Sequence, residues 1–386
     1  MSKYDAFDPY WEKQNIKNTT DPVEKQSKQE TFERERIQQK EILATLGGLI
    51  IELAVDNPKI TEDELMKMVD ENAEAGRMAD FQRSIFRNII KERSKRVNDM
   101  EKFSEGTKND QDLFKKIFRF EPEGKIQVDR RPITLHFILP NSEFNQIARN
   151  PRDPEAVNAG GLYFPTSNTK GLQGLNYPFK GVVSIAKQIP HYQEEIAAHE
   201  ETHALYDLMM HGLRKSPIRG LDERHTHPLT NDSTANLLTE VSRTKSETSK
   251  IHQLQTFWQK RMNVYSESIK NEIFAFSREG RKKTNVVNSL SKGRGKKGLY
   301  DYMAHERSAT DNLFLRRANG NDQAIFSEVT KTFFEQEYKK FIHDGITAFE
   351  TLYRDGFTME QAMVYFIDIS LSQWKSEIEK RSKYKK

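Results

Sequence analysis

The sequence predicts an α+β fold, with a small mixed sheet and two long helices at its centre and mostly helical N- and C-terminal regions. Two observations predict it. Apolar residues recur at helical spacing from about 31 to 100 and again from 299 to 380. Between them, ITLHFILP at 133–140, GGLYFP at 160–165 and GVVSIA at 181–186 are short, β-rich and bounded by Gly or Pro. The chain therefore divides into a helical region over 1–125, a core over 126–280, a basic loop over 281–298 and a second helical region over 299–386.

Each element has a local reason. Residues 1–30 are polar and read as frayed. Ile42, Leu46, Leu49 and Leu53 share the helical period, and Pro58 ends that segment. Thr61 and Glu64 form a capping-box pair that opens a helix through Val69. A third helix over 77–97 carries Phe81, Ile85 and Ile89 on one face. After the three strands, Pro190 opens a helix that runs to about His211, with Gly212 closing it. Pro217, Gly220 and Pro228 mark 213–233 as a loop, and a long helical stretch follows over 234–278. Gly320, Gly345 and Gly356 break the last helical region.

Composition limits the chemistry. With 35% hydrophobic and 31% charged residues, but 23 Phe, 13 Tyr and 11 Met, the chain can build a core wrapped in solvated helices. The net charge of +4 argues neither for nor against nucleic acid. There is no Cys, so disulfides and thiolate-bound metals are excluded, and a metal site must use His, Asp and Glu. MSKYDAFDPYWEKQ lacks the apolar core of a signal peptide. ILATLGGLIIELAV at 42–55 is too short to span a bilayer and contains Glu52. These features predict a soluble, cytoplasmic protein with no membrane span, with export lacking a cleaved signal left open.

The chemistry centres on one helix. His199 and His203 are four apart, so they lie one turn apart on one face, with Ile196 and Met210 and away from Glu194, Glu195 and Glu201. Two imidazoles so placed can bind one zinc ion, and Glu200 beside the first can take a proton from water that attacks a carbonyl. His is rare, at 10 residues, so a chance pair at this spacing is uncommon. A third protein ligand is expected. Trp258, Met262, Tyr265, Ile269, Glu272 and Phe276 follow three-four spacing, which puts Glu272 on the buried stripe of a helix. A carboxylate buried there needs a cation. Glu240, Glu267, His211, His225 and His227 remain as rival ligands.

HEETHALYD at 199–207 resembles the zinc-helix signature of thermolysin-type peptidases, and NEIFAF at 271–276 resembles the segment that supplies the third ligand in gluzincins. The resemblance implies a zincin-like core and a zinc metallopeptidase acting on peptide or protein substrates. It makes His199, His203 and Glu272 the ligands, Glu200 the base and Asp207 a residue standing behind the ligands. The gap from His203 to Glu272 is longer than that family's usual separation. The resemblance covers about 130–280 and leaves the helical flanks unassigned.

Three further features complete the reading. GVVSIA matches the place where zincins set an edge strand beside the cleft. Tyr302 and His305 are candidates to stabilise the oxyanion. The basic segment 278–298 carries eight Lys and Arg, among them Arg278 and Lys297, without interleaved aromatics, and reads as a solvated linker rather than a nucleic-acid surface. Two alternatives stand beside the peptidase. One is a non-enzymatic helical interaction protein with a degenerate or structural zinc site. The other is a nucleic-acid-associated protein using that basic segment.

Overall fold

A computed structural model describes residues 9–148, 160–164, 182–186, 190–214, 236, 239–279, 299 and 320–384. Helices α1 (Pro9–Asn18) and α2 (Pro22–Asp56) occupy the stretch expected to fray. Asp21 is the reason: its Oδ1 accepts from the backbone N–H of Val23 at 2.8 Å and of Glu24 at 3.3 Å, capping α2 where Pro22 sets the first turn. The Thr61–Glu64 capping box is formed and opens α3 (Glu62–Glu74), which runs one turn beyond Val69. Helix α4 spans Asp80–Ser104, and α5 (Asp110–Phe118) follows, capped by Asn109.

Four strands form one mixed sheet in the order β1-β2-β4-β3. They are β1 (Gln127–Arg130), β2 (Leu135–Leu139), β3 (Gly161–Phe164) and β4 (Val182–Ala186). The β2–β4 pair is parallel, and both outer pairs are antiparallel. Among the described strands β4 is therefore an inner strand, and the edges are β1 and β3. Helix α6 (Asn141–Ala148) follows β2. Helices α7 (Pro190–Arg214) and α8 (Glu247–Glu279) cross each other. The C-terminal region holds α9 (Gly320–Thr332), a π-helical segment (Phe333–Tyr338), α10 (Lys339–Arg354), α11 (Met359–Phe366) and α12 (Leu371–Tyr384). No described helix is long and apolar enough to cross a membrane.

One large core joins α2, α3 and α4 with α7, α8 and the C-terminal helices. A second, built on Phe114, Phe118 and Phe137, packs α5 and α6 against β1 and β2. A third, of Val183, Ile185 and Ala197, seats β4 on α7.

Helix α2 turns inward a face rotated from the expected Ile42, Leu46, Leu49 and Leu53 stripe, of which Leu53 still packs against the core. Ala44, Gly47, Ile51 and Ala54 are buried, whereas Leu49 is 46% exposed. Close approach explains the difference. A Cβ on Gly48 would stand 2.8 Å from the backbone N of Gln361 on α11, and one on Gly47 would stand 2.3 Å from Phe86 Cζ on α4. Only small residues let three helices meet there. Gly212 and Gly345 follow the same logic. Both lie inside helices rather than ending them, and a Cβ would meet Ile89 Cγ1 at 2.3 Å and Leu371 Cδ1 at 2.5 Å, respectively. Gly356, with φ +92°, is a true helix stop. The ends of the chain are tied by charge as well: Arg36 donates twice to Glu377 at 2.8 Å, and Arg381 donates to Glu41 at 2.6 Å.

The small-residue face predicts opposite outcomes for neighbours on α2. Gly48→Ala should cost on the order of 1–3 kcal/mol in urea unfolding through overpacking. Leu49→Ala should stay within about 0.5 kcal/mol of the wild type. The reverse order would show that Leu49, and not Gly48, faces the core.

Candidate metal centre

Helix α7 presents Ile196, Glu200, His203 and Asp207 on one stripe, with His199 beside them. Helix α8 crosses this stripe and brings Glu272 to it. Glu272 Oε2 lies 3.4 Å from His199 Nε2, and Oε1 lies 3.6 Å from His203 Nε2. One ligand atom from each residue falls within 4.8 Å of the others, so the three form a group able to hold a metal ion. Two donors each about 2.0–2.1 Å from one tetrahedral ion sit about 3.3 Å apart, close to both measured separations. The donor types, two imidazoles and a carboxylate, suit a borderline-soft divalent ion. Burial pushes the Glu272 carboxyl upward, but the hydrogen bond with His199 and the charges of His203 and His199 outweigh it and hold it below its ordinary range.

Packing fixes α8 on either side of Glu272. Ile269, Ile273 and Phe274 are fully buried. Trp258 is buried further up and donates to Thr330 Oγ1 at 3.1 Å. Lys270 Nζ donates to the carbonyls of Ile367 and Ile369 at 2.9 and 3.0 Å, tying α8 to the end of α11. Each imidazole also has an aromatic neighbour. The Phe276 ring stands edge-on to His199 at 4.6 Å, and the Tyr163 ring lies over His203 at 6.5 Å with 29° between the planes.

Strand β3 contributes more than its short sequence suggested. A Cβ on Gly161 would fall 2.8 Å from Glu200 Cγ, 2.9 Å from Glu200 Oε1 and 2.6 Å from Ile196 Cγ2. The buried Glu200 side chain thus occupies space that only glycine leaves free. Two residues on, Tyr163 O–H donates to Asp207 Oδ2 at 3.3 Å, and Arg96 Nη2 donates to the same oxygen at 2.7 Å. Burial first, and the Asp207 carboxylate second, raise the Tyr163 phenol above its ordinary range, so it remains a donor. Arg96, buried on α4, also donates to the Ala204 carbonyl at 3.1 Å. Gly160-Gly161 was the one available signal for the Glu200 seat; nothing in the sequence pointed to Arg96.

The opposite face of α7 is not a solvent face. Glu195 and Glu201 are buried. Glu201 lies 3.0 Å from Arg131 and 3.9 Å from Arg278, and Arg278 also reaches Asp56 at 3.4 Å. Arg278 therefore belongs to the core rather than to a basic segment. His136 on β2 is fully buried nearby, sharing a 2.6 Å hydrogen bond with Thr134 Oγ1. Among the rival ligands, Glu240 is exposed and His211 pairs with Glu92 at 3.0 Å, two turns beyond His203. The Glu267 side chain, His225, His227, Tyr302, His305 and the 281–298 segment lie outside the described residues.

Comparison with protein families, with curated proteins and with solved structures finds no match to the chain.

Bracing of α7 by buried charge predicts a pH effect. Burial, and then the charges of Arg131 and Arg278, lower the His136 imidazole from 6.5 to about 3. The folded state holds it neutral while the unfolded chain takes up a proton. Its stability contribution is full above about 6.5, falls as the pH drops, and is lost by about 3. His136→Gln should flatten the decline in urea stability between pH 7 and 4. Parallel declines in both proteins would place the acid sensitivity elsewhere.

Proposed function

We propose that this chain is a zinc-dependent metallopeptidase with His199, His203 and Glu272 as metal ligands and Glu200 as general base. The carrying observation is that a carboxylate from α8 meets two imidazoles one turn apart on α7, at separations suited to one tetrahedral ion. A zinc ion held there supplies Lewis acidity, polarising a carbonyl and acidifying water.

The remaining chemistry falls to the chain's own residues. Peptide hydrolysis adds water across a C–N bond. Glu200 takes one proton from water as the oxygen joins the carbonyl carbon, and returns it to the amine nitrogen as the C–N bond breaks. Its burial beside β3 favours this role, because a recessed carboxylate is held in one orientation. Among the described residues no strand pairs with the outer edge of β3, and an extended peptide backbone adds to such an edge. The edge strand that serves this reading is thus Gly161–Phe164, not Val182–Ala186.

Metal content is the first measurement. The purified protein should carry about one zinc per chain. His199→Ala with His203→Ala should abolish it, and Glu272→Gln should weaken it strongly, whereas Glu240→Gln should not. Retention of zinc by Glu272→Gln would remove Glu272 from the ligand set.

Activity tests the base. Glu200→Gln should keep zinc and fold, yet lose about 10²–10⁴-fold in hydrolysis of an unfolded protein substrate. Gly161→Ala should also keep zinc while lowering kcat, since its methyl displaces the Glu200 carboxylate. Unchanged turnover in Glu200→Gln would refute the mechanism.

A further inference from the structure

Gly161 and Tyr163 alternate with Leu162, so both point at α7 while Leu162 packs into the second core. Gly161 lies over Ile196 and Glu200; Tyr163 lies over His203 and Asp207. The register of one short strand thus meets successive turns of the helix that carries the metal donors.

We propose that Tyr163 is a positioning residue for His203, and that Asp207 and Arg96 act on the metal centre through it. The inference rests on the metal-centre reading above. Three observations support it. The Tyr163 ring neighbours the His203 imidazole, with centroids 6.5 Å apart and 29° between the planes. Its hydroxyl is tethered to Asp207, one turn beyond His203 on the same helix. Asp207 is held in turn by Arg96, which also bonds the Ala204 carbonyl and lies 3.4 Å from Glu92. Ring and tether act together: an untethered ring can swing, and a tether without a ring touches nothing at His203. By this route the N-terminal helical region takes part in the centre, because α4 supplies the charge that fixes Asp207. Groups standing behind metal ligands commonly change affinity about 10- to 100-fold when removed.

The test uses the full chain, with zinc affinity measured by chelator competition and geometry by the visible spectrum of the cobalt(II)-substituted protein. Tyr163→Leu should weaken zinc about 10- to 100-fold and shift the cobalt bands. Tyr163→Phe keeps the ring and loses the tether, so it should fall between Tyr163→Leu and the wild type. Leu162→Ala, on the other face of β3, should lower stability and leave both metal readouts unchanged. Asp207→Asn should weaken zinc in the wild type but add nothing in the Tyr163→Leu background. Should Tyr163→Leu not fold, Tyr163→Phe against Leu162→Ala still decides the question. Wild-type affinity and spectrum in the Tyr163 variants would overturn the proposal, as would additive losses in the double variant. A wild type that takes up neither zinc nor cobalt would overturn the metal centre itself, and this role for Tyr163 with it.

Discussion

The crossing of α7 and α8 brings a carboxylate and two imidazoles together. Even a half-buried carboxylate such as Glu272 is costly unless positive charge or hydrogen-bond donors meet it. Among the described residues, Glu272 is met by His199 and His203, at 3.4 and 3.6 Å. The crossing must therefore be held closely, and much of the architecture bears on it. Lys270 ties α8 to the end of α11 two residues before Glu272, and the buried Ile273 and Phe274 follow directly after it. Gly212 lets α4 lie against α7 beyond the donors.

Two kinds of support act on α7 from different sides. On the donor face, β3 sets Gly161 over Glu200 and Tyr163 over His203. On the opposite face, Glu201 is gripped by Arg131 and Arg278. A buried ion pair of this kind is weak as a source of stability but strongly directional, since losing one partner strands the other. The helix is thus fixed in rotation about its axis, the degree of freedom that decides whether two side chains four residues apart share a centre.

The part of this arrangement that lies within single elements was legible in the sequence. His199 and His203 share a helix face because four residues make about one turn, and Glu272 interrupts an apolar stripe. The Thr61–Glu64 box and the short strands at 135–139, 161–164 and 182–186 are local as well. What escaped lies between elements distant in the chain. Periodicity counts large apolar residues, so it marked Leu46 and Leu49 and passed over Ala44, Gly47 and Gly48, whose value is their small size. Gly212 and Gly345 read as helix breakers because nothing local reveals the neighbour that presses on them. Glu201 looked like a solvent residue until Arg131 and Arg278 were seen to converge on it. Strand β1, with four residues, is too short to show a period, whereas Leu113, Phe114, Ile117 and Phe118 of α5 do repeat at helical spacing and were passed over.

The close seat of α2 on α11 has a consequence for how the molecule comes into being. Arg36 meets Glu377 across 341 residues, and Arg381 meets Glu41 across 340. Closing so long a loop adds little entropy beyond a moderate one, because the cost grows only with the logarithm of length. Contacts this remote nevertheless slow folding. During synthesis the part of α2 that seats α11, around Gly48, must wait until α11 has been made, although α4 can already cover Gly47. Helices α7 and α8 emerge between these two events and share the same core. A half-made chain therefore holds both halves of the donor set without the framework that presses them together. The meeting of the three donors thus depends on segments made late, and a nascent chain is most exposed to aggregation while α2 still lacks α11.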